Sequence, residues 1–191
     1  MRVPPLTVTT TTTAAPPPRR LAGLVARIEG ARALDPVVEA GLRATTALAR
    51  HPGLDAALRG RWLGHSAHPL LTDVPIGSWT SANLIDLAGG RRGRPFATGL
   101  LAVGCAAALP TIATGVAEWR AAPFRDRRTG VAHAALNAVA LGLYLASLVC
   151  RLRRRHGRGV ALAAGATAVA TAGGHLGGHM AVARDVGTAW S

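Results

Sequence analysis

Four apolar segments separated by short breaks constrain the fold of this chain more than any other feature. They cover residues 70–88, 96–118, 131–150 and 160–179, and each is close to the ~20 residues that cross a bilayer core. Because the breaks are short and rich in glycine and arginine, neighbouring helices must run antiparallel. The sequence therefore predicts an all-α integral membrane protein: an up-down-up-down four-helix bundle preceded by an amphipathic helical hairpin.

The flanking regions divide into a tail, a helical region and a second tail. Residues 1–20, with a threonine run and three consecutive prolines, predict a disordered tail. Residues 21–61 predict the amphipathic helices, with Asp35 as an N-cap before Pro36. These helices are expected on the membrane surface or on a partner, or as an ordinary soluble hairpin. The four-helix domain then covers residues 62–180, and residues 181–191 form a C-terminal tail.

The charge of the chain is strongly positive, because 22 arginines face nine acidic residues. Such an excess is typical of nucleic-acid-binding proteins. However, the arginines lie mainly in the N-terminal region and between the apolar segments, and one tyrosine and two phenylalanines offer little base stacking. Their positions suit anchors among lipid head groups. We therefore expect the lipid bilayer as a partner and no nucleic acid.

Antiparallel topology collects the polar residues of the apolar segments at one end of the bundle. This end joins the start of the first and third segments to the end of the second and fourth. Exposing a polar side chain to lipid is costly, so we expect these residues to face the bundle interior. The set contains five histidines and two carboxylates: His65, His68, His133, His175, His179, Asp73 and Glu118.

Neutral imidazoles at this end predict a haem site. A b-type haem between two helices needs one inward histidine from each helix. His133 meets this requirement with His68 or His65, or with His175. Only His156 lies near the opposite end, so we expect at most one haem b. The candidate cofactor-binding residues are His65, His68, His133, His175 and His179.

Two other interpretations of the histidine cluster stay open. A metal- or proton-handling protein would use a transition metal ion bound by His68, His133, His175, His179, Asp73 and Glu118. A non-catalytic scaffold would use the cluster as a polar plug, with His68 and His133 hydrogen-bonded to the two carboxylates. No hydrolase or nucleotide-binding motif is present, so no catalytic residue is assigned and enzymatic activity is left open.

The fourth segment ends in a glycine-rich stretch, GGHLGGH at residues 173–179. This stretch bears on the choice between a cofactor site and a structural role. Small residues one turn apart allow helices to approach closely, or they leave a flat recess against the backbone. Close packing is the commoner use of such glycines. A histidine beside them makes a recess for a planar cofactor credible as well.

Five stretches of the chain carry a further pattern: WLGH at residues 62–65, HPLLTDVPIGSWT at 68–80, ATGVAEW at 113–119, GVAHAALN at 130–137 and GGHLGGH at 173–179. Together they resemble the four-helix membrane family named domain of unknown function 2231, from about residue 34 to residue 179. The family often has His-Pro-Leu-His where this chain has HSAH at residues 65–68, which makes His65 the weaker ligand candidate.

The resemblance implies a membrane protein without an assigned reaction. Some members of the family carry a Rieske iron–sulfur domain after the fourth helix, which implies an electron-transfer setting. This chain has no Cys-x-His pair, so a separate Rieske-type or other redox partner would be needed.

The arginines near the helices do not indicate the orientation of the chain in the membrane. Seven arginines near the helices lie on the histidine side and eight on the opposite side, so the positive-inside rule gives no direction. The first twenty residues lack the apolar core of a secretory signal. We therefore expect a multi-pass protein of the cell (inner) membrane with both termini in the cytoplasm. Self-association as a homo-oligomer is left open.

Overall fold

The computed structural model describes residues 19–186, and every regular element in that range is helical. The all-α prediction is therefore confirmed for this range. Four short helices come first: α1 Arg19–Gly30, α2 Asp35–Ala44, α3 Thr46–Ala49 and α4 Pro52–Leu58, with 3-10 turns at Arg32–Leu34 and Arg61–Leu63. Four long helices follow: α5 Ala67–Ala88, α6 Gly90–Ala121, α7 Phe124–Leu152 and α8 His156–Gly178, which continues as a π-helical turn, His179–Ala183.

The predicted tails are covered only in part. Residues 1–18 of the predicted disordered tail, and residues 187–191 of the C-terminal tail, lie outside the described residues. Residues 181–183 belong to the π-helical turn, and Arg184 just after it is held by Glu29. The start of the predicted C-terminal tail is therefore packed structure, because a buried carboxylate binds it.

Three helices within the described range are long and apolar enough to cross a membrane: Gly90–Ala121, Phe124–Leu152 and His156–Ala183. They correspond to the second, third and fourth predicted segments. Helix α5, the first predicted segment, is not among them, because Asp73, Asp86 and several hydroxyl and amide side chains lower its hydropathy.

The breaks between the long helices are shorter than predicted. Only Gly89 separates α5 from α6, and Gly90 makes the turn with a φ of 53°, which glycine adopts without strain. Helix α7 begins at Phe124 and α8 at His156, inside the predicted breaks of residues 120–130 and 151–159. Their charged first turns are helical because a helix can extend beyond the bilayer core without losing its backbone hydrogen bonds.

The long helices pack mainly as two pairs, α5 with α6 and α7 with α8. In the first pair Ile85 lies against Gly93 and Trp79 against Gly104, so the two helices run in opposite directions. In the second pair the Ser147 hydroxyl donates to the Gly159 carbonyl at 2.6 Å, and Tyr144 Oη lies 2.9 Å from Thr167 Oγ1. This pair is antiparallel as well.

The second helix pair repeats the first. An offset of 65 residues, the distance from His68 to His133, maps α5 onto α7, and an offset of 62, the distance from Thr111 to Gly173, maps α6 onto α8. Eight pairs of buried positions coincide under these offsets. In α5 and α7 they are Pro75 with Ala140, Trp79 with Tyr144, and Ala82 with Ser147; in α6 and α8 they are Ala97 with Gly159, Leu101 with Ala163, Gly104 with Ala166, Thr111 with Gly173, and Thr114 with Leu176.

Equivalent residues of the two repeats touch each other across the bundle. Trp79 stacks on Tyr144 with ring centroids 4.1 Å apart. Asp86 pairs with Arg151, and each of these side chains is 1% exposed. Residues at equivalent positions meet only at the axis that relates the two copies. A pseudo-twofold axis therefore runs between α5 and α7.

Two of the short N-terminal helices, α1 and α2, dock on the end of α7. Glu29, 3% exposed, binds Arg125 at 2.5 Å and Arg184 at 2.6 Å. Asp35 receives both Nε and Nη2 of Arg128, at 2.6 and 2.9 Å. Two parts of the prediction are therefore wrong: α1 and α2 each contact α7 more than they contact each other, and Asp35 pairs with an arginine instead of capping α2.

The charge of Glu29 is stabilised by its partners. Burial alone would raise the pKa of this carboxyl. Hydrogen bonds from Arg184 and His179, together with the charges of Arg184 and Arg125, outweigh that effect and lower the pKa from 4.5 to about 2. A depressed pKa means that the folded state favours the ionised form. The stabilisation is therefore complete above pH 4.5 and is lost as the pH falls towards 2.

We expect Glu29→Gln to release the N-terminal helices from α7. The neutral amide weakens charge-assisted hydrogen bonds at a cost of about 2 kcal/mol, so the undocked state becomes roughly thirtyfold more populated. Limited tryptic digestion in detergent measures this release as faster cleavage at Arg27 and Arg32. Glu39→Gln is the matched control, because Glu39 is 59% exposed and, in the part of the chain that the structure describes, its one ion pair is with Arg43 at 3.7 Å. Equal digestion of the two variants would contradict the docking.

The pseudo-twofold axis predicts that Asp86 and Arg151, the buried ion pair between α5 and α7, can exchange positions. Asp86→Arg alone or Arg151→Asp alone buries two like charges, which we expect to lower stability by about 3–5 kcal/mol. The double exchange restores an ion pair, and thermal unfolding in detergent should show recovery of most of the loss. Combining Asp86→Arg with Arg153→Asp, at an exposed site, should not rescue. A double exchange as unstable as the single variants would contradict the equivalence of the two positions.

Candidate functional site

His68 and His133 are held in the same way by the two repeats. His68 Nδ1 lies 3.0 Å from the Thr111 carbonyl oxygen on α6, and His133 Nδ1 lies 2.8 Å from the Gly173 carbonyl oxygen on α8. A carbonyl oxygen only accepts, so Nδ1 of each neutral ring carries the proton and donates it. The lone pair of each ring is therefore on Nε2.

A glycine of the neighbouring helix makes room for each imidazole. A Cβ atom at Gly115 would lie 2.8 Å from Cε1 of His68, and one at Gly177 would lie 2.8 Å from Cε1 of His133. These two glycines are equivalent positions of the repeats. The glycine recess predicted at residues 173–178 thus accommodates a histidine ring in this structure.

The two imidazoles lie on the sides of α5 and α7 that face the axis. His68 precedes Trp79 and Asp86 by 11 and 18 residues, spacings close to whole numbers of turns, so the three side chains share one stripe of α5. His133, Tyr144 and Arg151 form the same stripe on α7.

Asn137 packs against His133. Its amide nitrogen is 3.3 Å from Nδ1 and 3.0 Å from Nε2 of that ring. No atom can lie in the ring plane at those distances from both nitrogens without overlapping a ring carbon. The amide therefore covers the ring face, and the in-plane lone pair of Nε2 is left to other partners.

Glu118 is buried near the same end of the bundle, with 7% of its surface exposed. Its carboxylate accepts a hydrogen bond of 3.0 Å from the Ser66 hydroxyl, just before α5. The hydrogen bonds of His68 and His133 go to backbone carbonyls and to Thr114, and Asn137 covers the face of the His133 ring. Among the described residues, the pairs of the predicted polar plug, histidine with Asp73 or Glu118, are therefore not formed.

The remaining predicted site residues lie elsewhere. His65, Asp73 and His175 are exposed. His179 Nε2 lies 3.1 Å from Glu29 Oε1, so it belongs to the N-terminal docking contact. Side chains four residues apart on a helix point about 40° away from each other. The stripe from Thr167 to His175 therefore turns out of the bundle interior towards its surface. The structure thus places His68 and His133 at equivalent positions of the two repeats, with Glu118 at the same end of the bundle.

The side chains at this end of the bundle suit a haem better than a metal ion that only protein side chains would hold. Within residues 19–186, no three His, Cys, Asp or Glu side chains are close enough together to hold a metal ion. A haem iron needs only two axial ligands from the protein, because the macrocycle supplies the other four. The far end of the axis carries the Asp86–Arg151 pair with His156 Nε2 at 3.4 Å from Asp86, in place of a second histidine pair.

Several contacts that build this site were not predicted from the sequence. Thr111 and Gly115 place His68, Gly173 places His133, and Ser66 binds Glu118. The internal repeat is the signal that could have found them. Aligning α5 with α7 brings His68 onto His133 and Gly77 onto Gly142, and aligning α6 with α8 brings Gly115 onto Gly177.

No curated protein and no solved structure is significantly similar to the chain. One family, described as a predicted membrane protein (DUF2231), matches residues 64–190. The match begins after the N-terminal helices, later than the resemblance at about residue 34 suggests, and it contains all four long helices and both histidines of the pair. Because it covers more than half of the chain, this protein belongs to the DUF2231 family of predicted membrane proteins.

Proposed function

We propose that this chain crosses the membrane four times as an up-down-up-down bundle and binds one b-type haem between His68 and His133. Three spans follow from length and composition. Support for the fourth comes from α5, whose 22 residues give ~33 Å of helix, enough for the hydrocarbon core. It packs along α6, exposes Leu84 and Leu87, and neutralises Asp86 with Arg151. An even number of spans puts both termini on one side, which we propose is the cytoplasm.

The observation that carries the haem proposal is the equivalence of the two histidines. Their equivalent positions in the repeats place them at the same depth and on opposite sides of the axis. Each Nδ1 donates to a backbone carbonyl, the arrangement that fixes the tautomer and orients Nε2 towards a metal. A haem bound between two helices would be held by one histidine from each helix at matching depth, and His68 and His133 would meet that requirement.

The neighbouring residues would act on the ligands in distinct ways. Thr111 and Gly173 fix the ring orientations through their carbonyls, and Gly115 and Gly177 allow the rings to sit against α6 and α8. A bound haem supplies one-electron transfer. The protein would then be an electron-transfer component of the membrane, with a separate redox partner such as a Rieske-type protein.

We expect the purified protein from haem-replete cells to show a Soret band, with about one haem per chain. His68→Ala and His133→Ala should each abolish the low-spin spectrum, because one axial ligand is lost. His65→Ala and His175→Ala are the matched controls, since both side chains are exposed and should leave the spectrum unchanged. A colourless wild-type protein would contradict the proposal. Retention of the low-spin haem spectrum in both the His68→Ala and the His133→Ala variant would contradict it as well.

The two ring-supporting glycines give a second test. Gly115→Ala or Gly177→Ala places a Cβ atom 2.8 Å from a histidine ring carbon, so the ring must turn away. We expect a weaker haem complex, measured as a lower haem content and a faster loss of haem to a soluble acceptor protein. Gly142→Ala is the control, because nothing lies within 4 Å of a Cβ there. Equal haem retention in all three variants would count against the site.

A further inference from the structure

A second feature at the histidine end is a cavity of about 340 Å³ between α4 and the C-terminal end of α6. Three arginines line it: Arg59 and Arg61 from the α4 side, and Arg120 from α6. Asp55 is the one carboxylate among the lining residues and lies 3.9 Å from Arg59. The lining therefore carries more positive than negative charge, in a concave surface that two separate parts of the chain build.

Arg120 is positioned by neutral groups. Its Nη1 donates to Thr45 Oγ1 at 2.6 Å and to the Leu42 carbonyl at 3.3 Å. These contacts fix the guanidinium without cancelling its charge. Arg61 is exposed, and within residues 19–186 neither Arg61 nor Arg120 has a carboxylate at ion-pair distance. The two guanidiniums are therefore available to an anion.

The position of the cavity sets its depth relative to the membrane. Helix α6 is one of the three spans and ends at Ala121, a residue that lines the cavity. The nearby Trp62 ring is 73% exposed, with its Nε1 donating to the Ala57 carbonyl at 3.1 Å. An exposed tryptophan at the end of a span is typical of the head-group region. The cavity thus lies where lipid phosphates lie.

We propose that this cavity binds the phosphodiester head group of an anionic phospholipid. Arginine pairs with phosphate through its planar fork of donors, and each basic residue at the surface favours anionic lipid. The apolar part of the lining, which includes Pro52 and Ala56, suits the glycerol end of a lipid better than a fully hydrated inorganic anion. The proposal does not rest on haem binding.

The test is binding of phosphatidylglycerol to the full-length protein in detergent, followed by native mass spectrometry, with phosphatidylcholine and inorganic phosphate as the other probes. We expect phosphatidylglycerol to bind at least about tenfold more tightly than phosphatidylcholine. Arg61→Gln with Arg120→Gln should weaken its binding by roughly twentyfold. Arg91→Gln with Arg92→Gln is the matched control, because it removes the same charge at exposed positions near the start of α6.

Three results would overturn the proposal. One is equal weakening by the control pair, which would mean binding through net charge alone. Another is inorganic phosphate displacing the lipid at equal concentration, which would make this a site for free anions. Since Arg120 also contacts α2, the single variant Arg61→Glu provides a check that leaves this contact intact, and unchanged lipid binding by it would be the third contradicting result.

Discussion

The contacts across the pseudo-twofold axis are the constraint on which the rest of this structure depends. The Trp79–Tyr144 stack and the Asp86–Arg151 pair join α5 to α7, although each helix packs mainly against a different neighbour. A buried ion pair is stabilising only if both partners stay together. These contacts therefore fix how the two repeats face each other, and with that the opposition of His68 and His133.

The two ends of the axis have diverged although the repeats are equivalent. At one end both repeats carry a histidine, and at the other the equivalent residues carry opposite charges. Each imidazole keeps a lone pair on Nε2, whereas an aspartate and an arginine satisfy each other. The N-terminal helices dock at the histidine end through Glu29 and Asp35, so additional structure covers the end that carries the two histidines.

The helical class and most of the domain could be predicted from hydropathy, because apolar length is a strong signal for a helix that crosses lipid. The helix ends could not, since charged turns such as those beginning α7 remain helical outside the bilayer. The docking of Glu29 on Arg125 and Arg184 was also beyond reach, because long-range ion pairs leave no periodic trace in a sequence.

Topology could place the candidate site residues at one end of the bundle, but it could not give the direction of each side chain. Topology brings His65, His175 and Asp73 to that end, yet their exposed side chains show that shared depth does not give a shared direction. The internal repeat selects His68 and His133 from the set, because equivalent positions must be supported in the same way.

The most direct test of the two-histidine haem site is electron paramagnetic resonance of the oxidised, purified protein. A haem held between His68 and His133 would give a low-spin ferric signal typical of two imidazole ligands, which His133→Ala converts to a high-spin signal or removes. A ferric haem that is high-spin in the wild-type protein, or a low-spin signal unaffected by His133→Ala, would contradict the proposed two-histidine site.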